Sequence, residues 1–176
     1  MEGVYYQSDL NSTGNLPHFS KKKLKENFEI EDIIQRVASI FHENWRSSKL
    51  HKDGTYESVI EESSDEDWIN KHWTKIVDIA NTNFEDLPIN WKYENLQVAK
   101  VVVELVYEKI IAGKKITPEM VEEMSKIVHT KWLERNWKEW SFKNQRVPYE
   151  QLSEEEKEKD RTQVKMVIQF IESENS

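Results

Sequence analysis

Two stretches of this chain repeat one another, and that repetition limits the fold more than any single motif. Val37-Ala-Ser-Ile-Phe-His42-Glu-Asn-Trp45-Arg46 aligns with Met124-Ser-Lys-Ile-Val-His129-Thr-Lys-Trp132-Leu133, and Phe84-Glu-Asp-Leu87 aligns with Tyr149-Glu-Gln-Leu152. The second match continues with Asn95 against Asp160, Lys100 against Lys165, Val102 against Val167 and Leu105 against Phe170. Each copy reads as helix, loop, helix. The stretch between the blocks is longer in the first copy, which places an insertion near residues 57–78. One copy has too little apolar surface to fold alone, so two tandem helix–loop–helix units related by a pseudo-two-fold axis are expected to share one core.

Hydrophobic spacing fills in the elements. Ile30, Ile33, Ile34, Val37, Phe41 and Trp45 follow the three-and-four rhythm of one buried helix face and predict a helix from about Ile30 to Lys49. Ser63 with Glu66 forms a capping box for a helix through Trp68, Ile69, Trp73 and Ile76. A third helix runs from Pro88–Asn90 to Ala112, stopped by Gly113, and its centre from Val98 to Tyr107 is apolar nearly all round, which makes it central. Thr117-Pro118-Glu119 opens a fourth, with a buried face of Val121, Met124, Ile127, Val128 and Trp132. Ser153-Glu-Glu-Glu156 opens the last, which buries Val164, Val167, Ile168 and Ile171. The class is all-α, with a short hairpin in Gly54–Val59 or Trp140–Pro148. Residues 1–27 read as an extended N-terminal arm, with a short strand at Val4–Tyr6 and a solvated linker at Lys21–Lys25. Repeat 1 then covers 28–113 and repeat 2 covers 114–176.

Composition removes whole classes of function. There is no cysteine, hence no disulfide framework, no thiolate zinc site and no thiol nucleophile. Mean hydropathy is −0.82, but seven tryptophans argue against disorder. A formal charge of −8 disfavours a nucleic-acid polymer as partner. No apolar run is long enough for a membrane span, and the first residues lack the basic start and apolar block of a signal peptide, so a cytoplasmic location is expected. His42-Glu43 begins like a metalloprotease helix, but Arg46 stands where the second histidine is needed. No nucleophile elbow or phosphate-binding glycine loop occurs, and four glycines could hardly supply one. No catalytic residue, metal or cofactor is therefore expected.

What remains is aromatic and basic. Trp45-Arg46 and Trp132 with Arg135 sit at matching helix ends. If the repeats face each other, the two indoles clamp a planar base, with stacking worth about 1–3 kcal/mol. Arg46 and Arg135 then hold phosphate by paired hydrogen bonds. His42 and His129, one turn earlier, donate to ligand oxygens, and Tyr56, Trp140, Phe142 and Arg146 form the rim. The plainer alternative is that both tryptophans pack the core and both arginines make surface ion pairs.

The stretch Val147-Pro-Tyr-Glu-Gln-Leu-Ser-Glu-Glu-Glu-Lys-Glu-Lys-Asp-Arg161, preceded by the His-x-x-Trp helix, resembles the RyR domain. This is the repeat found in pairs in ryanodine receptors and as small stand-alone proteins of bacteria and phages. The likeness covers about residues 120–172, with Trp140-Ser-Phe142 standing for the family's aromatic-x-aromatic stretch. The first copy, about 30–112, departs from the pattern: its loop reads Gly54-Thr-Tyr56, and Asn83-Phe84 replaces Pro-Tyr. The resemblance implies a mostly helical two-repeat fold and a non-catalytic module. It also implies that the cleft between repeats holds a nucleotide or nucleotide-derived signal of ADP-ribose or cyclic-nucleotide type, as a sensor or as a phage anti-defence sponge. The expected partner is that nucleotide-like small molecule. The alternative is a protein–protein interaction or assembly module without a small ligand, for which a homo-oligomer is one form; the insertion and the long acidic faces motivate it.

Overall fold

The computed structural model describes residues 21–136 and 145–174. Among them are five α-helices: α1 (Lys21–Ser47), α2 (Glu66–His72), α3 (Ile89–Ile111), α4 (Pro118–Asn136) and α5 (Glu154–Glu174). Two short strands, β1 (Ile60–Glu62) and β2 (Ile76–Asp78), pair antiparallel. The fold is all-α with this one small sheet attached.

The helix boundaries follow local chemistry. Thr117 Oγ1 accepts from the Met120 amide at 3.4 Å, and Pro118 opens α4 where its missing N–H costs nothing. Ser153 Oγ accepts from the Glu156 amide at 3.2 Å at the start of α5. Gly113, at φ 66, takes the left-handed position just past α3, which a Cβ would oppose. α1 starts earlier than its apolar rhythm predicts. Residues 21–27, rich in the helix formers Lys, Leu and Glu, extend the helix and are not a linker. Residues 1–20, with the strand expected at Val4–Tyr6, lie outside the described residues.

The insertion is where the structure departs most from the periodic reading. α2 is capped by Asp65, whose Oδ1 accepts from the Trp68 amide at 3.0 Å while Oδ2 accepts from the Ile89 amide at 2.7 Å. One carboxylate thus ties the starts of α2 and α3 together, and both bonds hold its pKa below the usual carboxylate value. Ser63, the expected cap, instead accepts from the Asp65 amide and donates to Asn90 Oδ1. Trp73 leaves the helix at φ 55, so Trp73 and Ile76 are a cap and a strand residue, not two further helical positions. The hairpin pairs Ile60 with Asp78, Glu61 with Val77 and Glu62 with Ile76. It therefore lies inside the insertion. At Gly54–Val59 there is only an isolated bridge, from Leu50 to Tyr56, and the other expected position lies partly in 137–144, outside the described residues.

α1 packs along α3, α4 packs along α5, and α3 also meets α4 and α5. Val98, Ala99, Val102, Val103 and Val106 of α3 are all buried, as the apolar centre of its sequence requires. On α4 the buried face is Met124, Ser125, Val128 and His129, while Ile127 is 40% exposed. Ser125 can be buried because its hydroxyl donates back to the Val121 carbonyl at 2.8 Å.

The two copies bury equivalent positions: Val37 and Met124, Phe41 and Val128, His42 and His129, Phe84 and Tyr149, Leu87 and Leu152, Val102 and Val167, Val106 and Ile171. Each buried aliphatic side chain contributes roughly 1.5–3 kcal/mol.

Candidate functional site

Each copy builds the same polar anchor inside its core. His42 Nε2 lies 2.9 Å from the Thr82 carbonyl, and His129 Nε2 lies 2.8 Å from the Val147 carbonyl. A carbonyl only accepts, so both Nε2 atoms carry a proton. The imidazoles join the end of the first helix to the turn before the second. Each then fixes its neighbours: His42 stacks on Trp45 at 5.8 Å and 23°, and His129 on Trp132 at 6.0 Å and 22°. Phe84 and Tyr149, in matching short 3-10 turns, press on the other side at 6.3 and 6.1 Å. Lys92 and Lys157 cover those two rings at 5.8 and 5.7 Å. The repeated sequence has produced repeated side-chain geometry. The histidines orient the indoles, which is a different task from donating to a ligand. Burial keeps the His42 pKa below the usual imidazole value, with help from Arg46.

Trp45 and Trp132 are half-buried and line the same cleft, of about 1050 Å³. That is at the upper end of clefts that take small-molecule ligands. His42, Trp91, Tyr93, Asn95, Val98 and Arg135 also face it, with Glu61 of β1 and Glu94 of α3. Two smaller hollows adjoin it. One, of about 160 Å³, is lined by Val128, His129, Trp132, Leu152, Glu156 and Asp160; the other, of about 610 Å³, by Trp45, Ser48, Glu155, Glu158 and Lys159. These are the repeat-related counterparts of the large cleft. His42, Trp45, Leu87, Trp91 and Asn95 correspond to His129, Trp132, Leu152, Glu156 and Asp160. Arg135, Asn90, Tyr93 and Glu94 correspond to Ser48, Glu155, Glu158 and Lys159. Gln163 borders all three, in the position that Val98 holds in the first copy.

The two sides differ in chemistry. The large cleft is aromatic and carries the Arg135 guanidinium. Its counterpart is acidic. There the Asp160 carboxyl, 17% exposed, is pushed up to about 7 by burial and by Glu156 close by, against the pull of Lys159. Asp160 Oδ2 is 3.4 Å from His129 Nδ1. Since Nε2 already donates, that contact is attractive only with a second proton between the two groups.

Other expected site residues are placed elsewhere. Arg46 is 7% exposed and engaged within the fold: Nε donates to the Ala80 carbonyl at 2.8 Å, and Nη1 to Glu43 at 2.7 Å and Asn83 Oδ1 at 2.9 Å. Its guanidinium lies over the Tyr56 ring at 4.6 Å. Arg46 therefore ties α1 to the segments that flank the insertion and is not a phosphate clamp, and Tyr56 is its platform and not a rim residue. Arg146 lines none of these hollows; its Nε and Nη2 are buried with no hydrogen-bond partner among the described residues. Trp140 and Phe142 lie outside the described residues.

Arg135 stays in the cleft, with only Nη1 bonded, to the Lys131 carbonyl at 3.1 Å. Glu94 is 3.5 Å from Nη2, yet Nε and Nη2 make no hydrogen bond among the described residues. The same is true of Trp91 Nε1, a cleft residue that periodicity does not single out. The signal for it lay in the repeat: Trp91 stands where the other copy has Glu156, an aromatic that the shared packing does not require. No three His, Asp or Glu gather as a metal site among the described residues, and no described helix is long and apolar enough to cross a membrane. Comparison with known proteins finds no family model, no curated relative and no solved structure that matches this chain.

Proposed function

We propose that the protein is a non-catalytic module that holds a nucleotide or nucleotide-derived small molecule in the cleft between its two repeats. The observation that carries this is the pair of half-buried indoles, Trp45 and Trp132, each oriented by its own histidine and both lining one cleft. Buried donors without acceptors, on Arg135 and Trp91, support a ligand rich in oxygen. The resemblance of residues 120–172 to the RyR repeat supports the same class. Such a module acts by retention: as a sensor, or as a sponge that withdraws a signal in conflict between phage and host. A thermal-shift titration with adenine nucleotides, ADP-ribose and cyclic nucleotides tests it. A binder gains melting temperature with ligand concentration. No shift at millimolar concentration across the panel refutes the reading.

One observation favours the second reading, an interaction module. Trp73 is 93% exposed, and Ile60 and Ile76 are exposed on the same small sheet. Assembly through that face would appear as a concentration-dependent mass in light scattering that Trp73→Ser abolishes.

A further inference from the structure

The polar inventory of the cleft says more about the ligand than its aromatic walls do. Among the described residues, Arg135 is the one cationic side chain lining it, against Glu61 and Glu94. Nε and Nη2 are the side-on edge of the guanidinium, whose two parallel N–H groups match a two-oxygen anion. Among the described residues that edge is buried and makes no hydrogen bond, and Trp91 Nε1 is a further buried donor on the same cleft. The nearest anion, Glu94, comes to 3.5 Å of Nη2 without making a hydrogen bond. One singly charged head satisfies the edge. Further phosphoryl groups would have to lie beside the Glu61 and Glu94 carboxylates, which repel them. On the other side of the repeat, Ser48 replaces Arg135, Glu156 replaces Trp91 and Glu158 replaces Tyr93. That side has lost the fork and gained carboxylates, so it repels the same ligand.

We infer that the cleft takes one ligand per chain, a planar heterocycle bearing a single monoanionic two-oxygen head, with Arg135 and Trp91 as its specificity-determining donors. This rests on the cleft being a ligand site at all, and deepens that reading by fixing the charge class and the stoichiometry. The head is a phosphodiester or a carboxylate; di- and triphosphates bind more weakly.

Isothermal titration of the full chain tests it with five probes: adenosine, 3′,5′-cyclic AMP, orotate, ADP and ATP. Cyclic AMP carries the phosphodiester and orotate the carboxylate, so the tighter of the two identifies the head. The expected result is one site per chain and at least tenfold tighter binding of that probe than of adenosine, ADP or ATP. Arg135→Gln then weakens it at least tenfold. Arg135→Lys, which keeps the charge and loses the fork, weakens it nearly as much. Trp91→Phe, which keeps a ring and loses the N–H, weakens it several-fold. Melting curves of the three variants confirm that each is folded. ATP or ADP binding as tightly as the monoanions, two sites per chain, or full affinity in folded Arg135→Gln overturns the inference and leaves the ligand site standing. No binding of any of these probes, together with no thermal shift from ADP-ribose, overturns the ligand site, and this inference with it.

Discussion

Replacing Asp160 by Asn tests the duplicated architecture where its two copies differ most in electrostatics. The first copy already has Asn95 at this place, so the shape is acceptable to the fold. In the folded chain the Asp160 carboxyl is pushed up to about 7, whereas in the unfolded chain it titrates near 3.9. Between those values the folded state binds the extra proton. Stability therefore falls as pH rises, and the loss is complete once pH has passed the folded value. At about 1.36 kcal/mol per pKa unit the ceiling is about 4 kcal/mol. Solvent reaching the carboxyl, which is 17% exposed, offsets part of it, which leaves a loss on the order of 2–4 kcal/mol. Glu156 and Lys159 are the other charged groups facing the carboxyl, and they are unchanged by the substitution. Urea unfolding of both proteins from pH 4.5 to 8.5 measures the effect as a difference, in which the other carboxylates cancel. The advantage of Asp160→Asn over the parent should be small near pH 4.5, grow as pH rises towards 7, and level off above that value. A difference that stays constant across the range would refute the reasoning, because it would mean that Asp160 is ionised throughout.

Two further substitutions probe the insertion and its flanks. Arg46→Ala removes three buried or half-buried hydrogen bonds, among them the one to the Ala80 carbonyl; it should cost about 2–4 kcal/mol in urea unfolding, and a loss under about 0.5 kcal/mol would show that Arg46 does not hold the flanks of the insertion to α1. Trp73→Gly relieves a left-handed residue whose indole is 93% exposed and packs on little; it should stabilise the protein by about 0.5–1 kcal/mol, and a fall in melting temperature would show that the indole has a partner on the protein itself.

Helices α3, α4 and α5 were legible because caps, glycine and apolar rhythm agree along each of them: Pro118 and Ser153 open two, and Gly113 ends the third. The pairing of the copies was legible from His42 and His129, whose spacing to the tryptophans is the same. What was not legible depends on contacts between segments far apart in sequence. Arg46 reads as a free cation at a helix end, but Tyr56 on one side of the insertion and Ala80 and Asn83 on the other reach it, and sequence spacing does not show that these segments converge. Trp73 and Ile76 continue the helical spacing of Trp68 and Ile69, yet strand pairing of Ile76 with Glu62 requires the chain to turn at Trp73. The cap at Asp65 won over Ser63 because its second oxygen also serves the start of α3. Trp91 escaped notice because its sequence neighbours are mostly polar, and only alignment with Glu156 shows that the other copy has no aromatic there.

Everything proposed about ligand binding depends on Trp45 and Trp132 serving a single site. The direct measurement is titration of the best-binding probe into Trp45→Leu and Trp132→Leu separately, each shown to be folded by its melting curve. Leucine keeps apolar bulk and removes the flat ring, and loss of one stacking face is worth about 1–3 kcal/mol. Either substitution alone should therefore weaken binding about tenfold or more. Parent-like affinity in either folded variant would contradict a shared site.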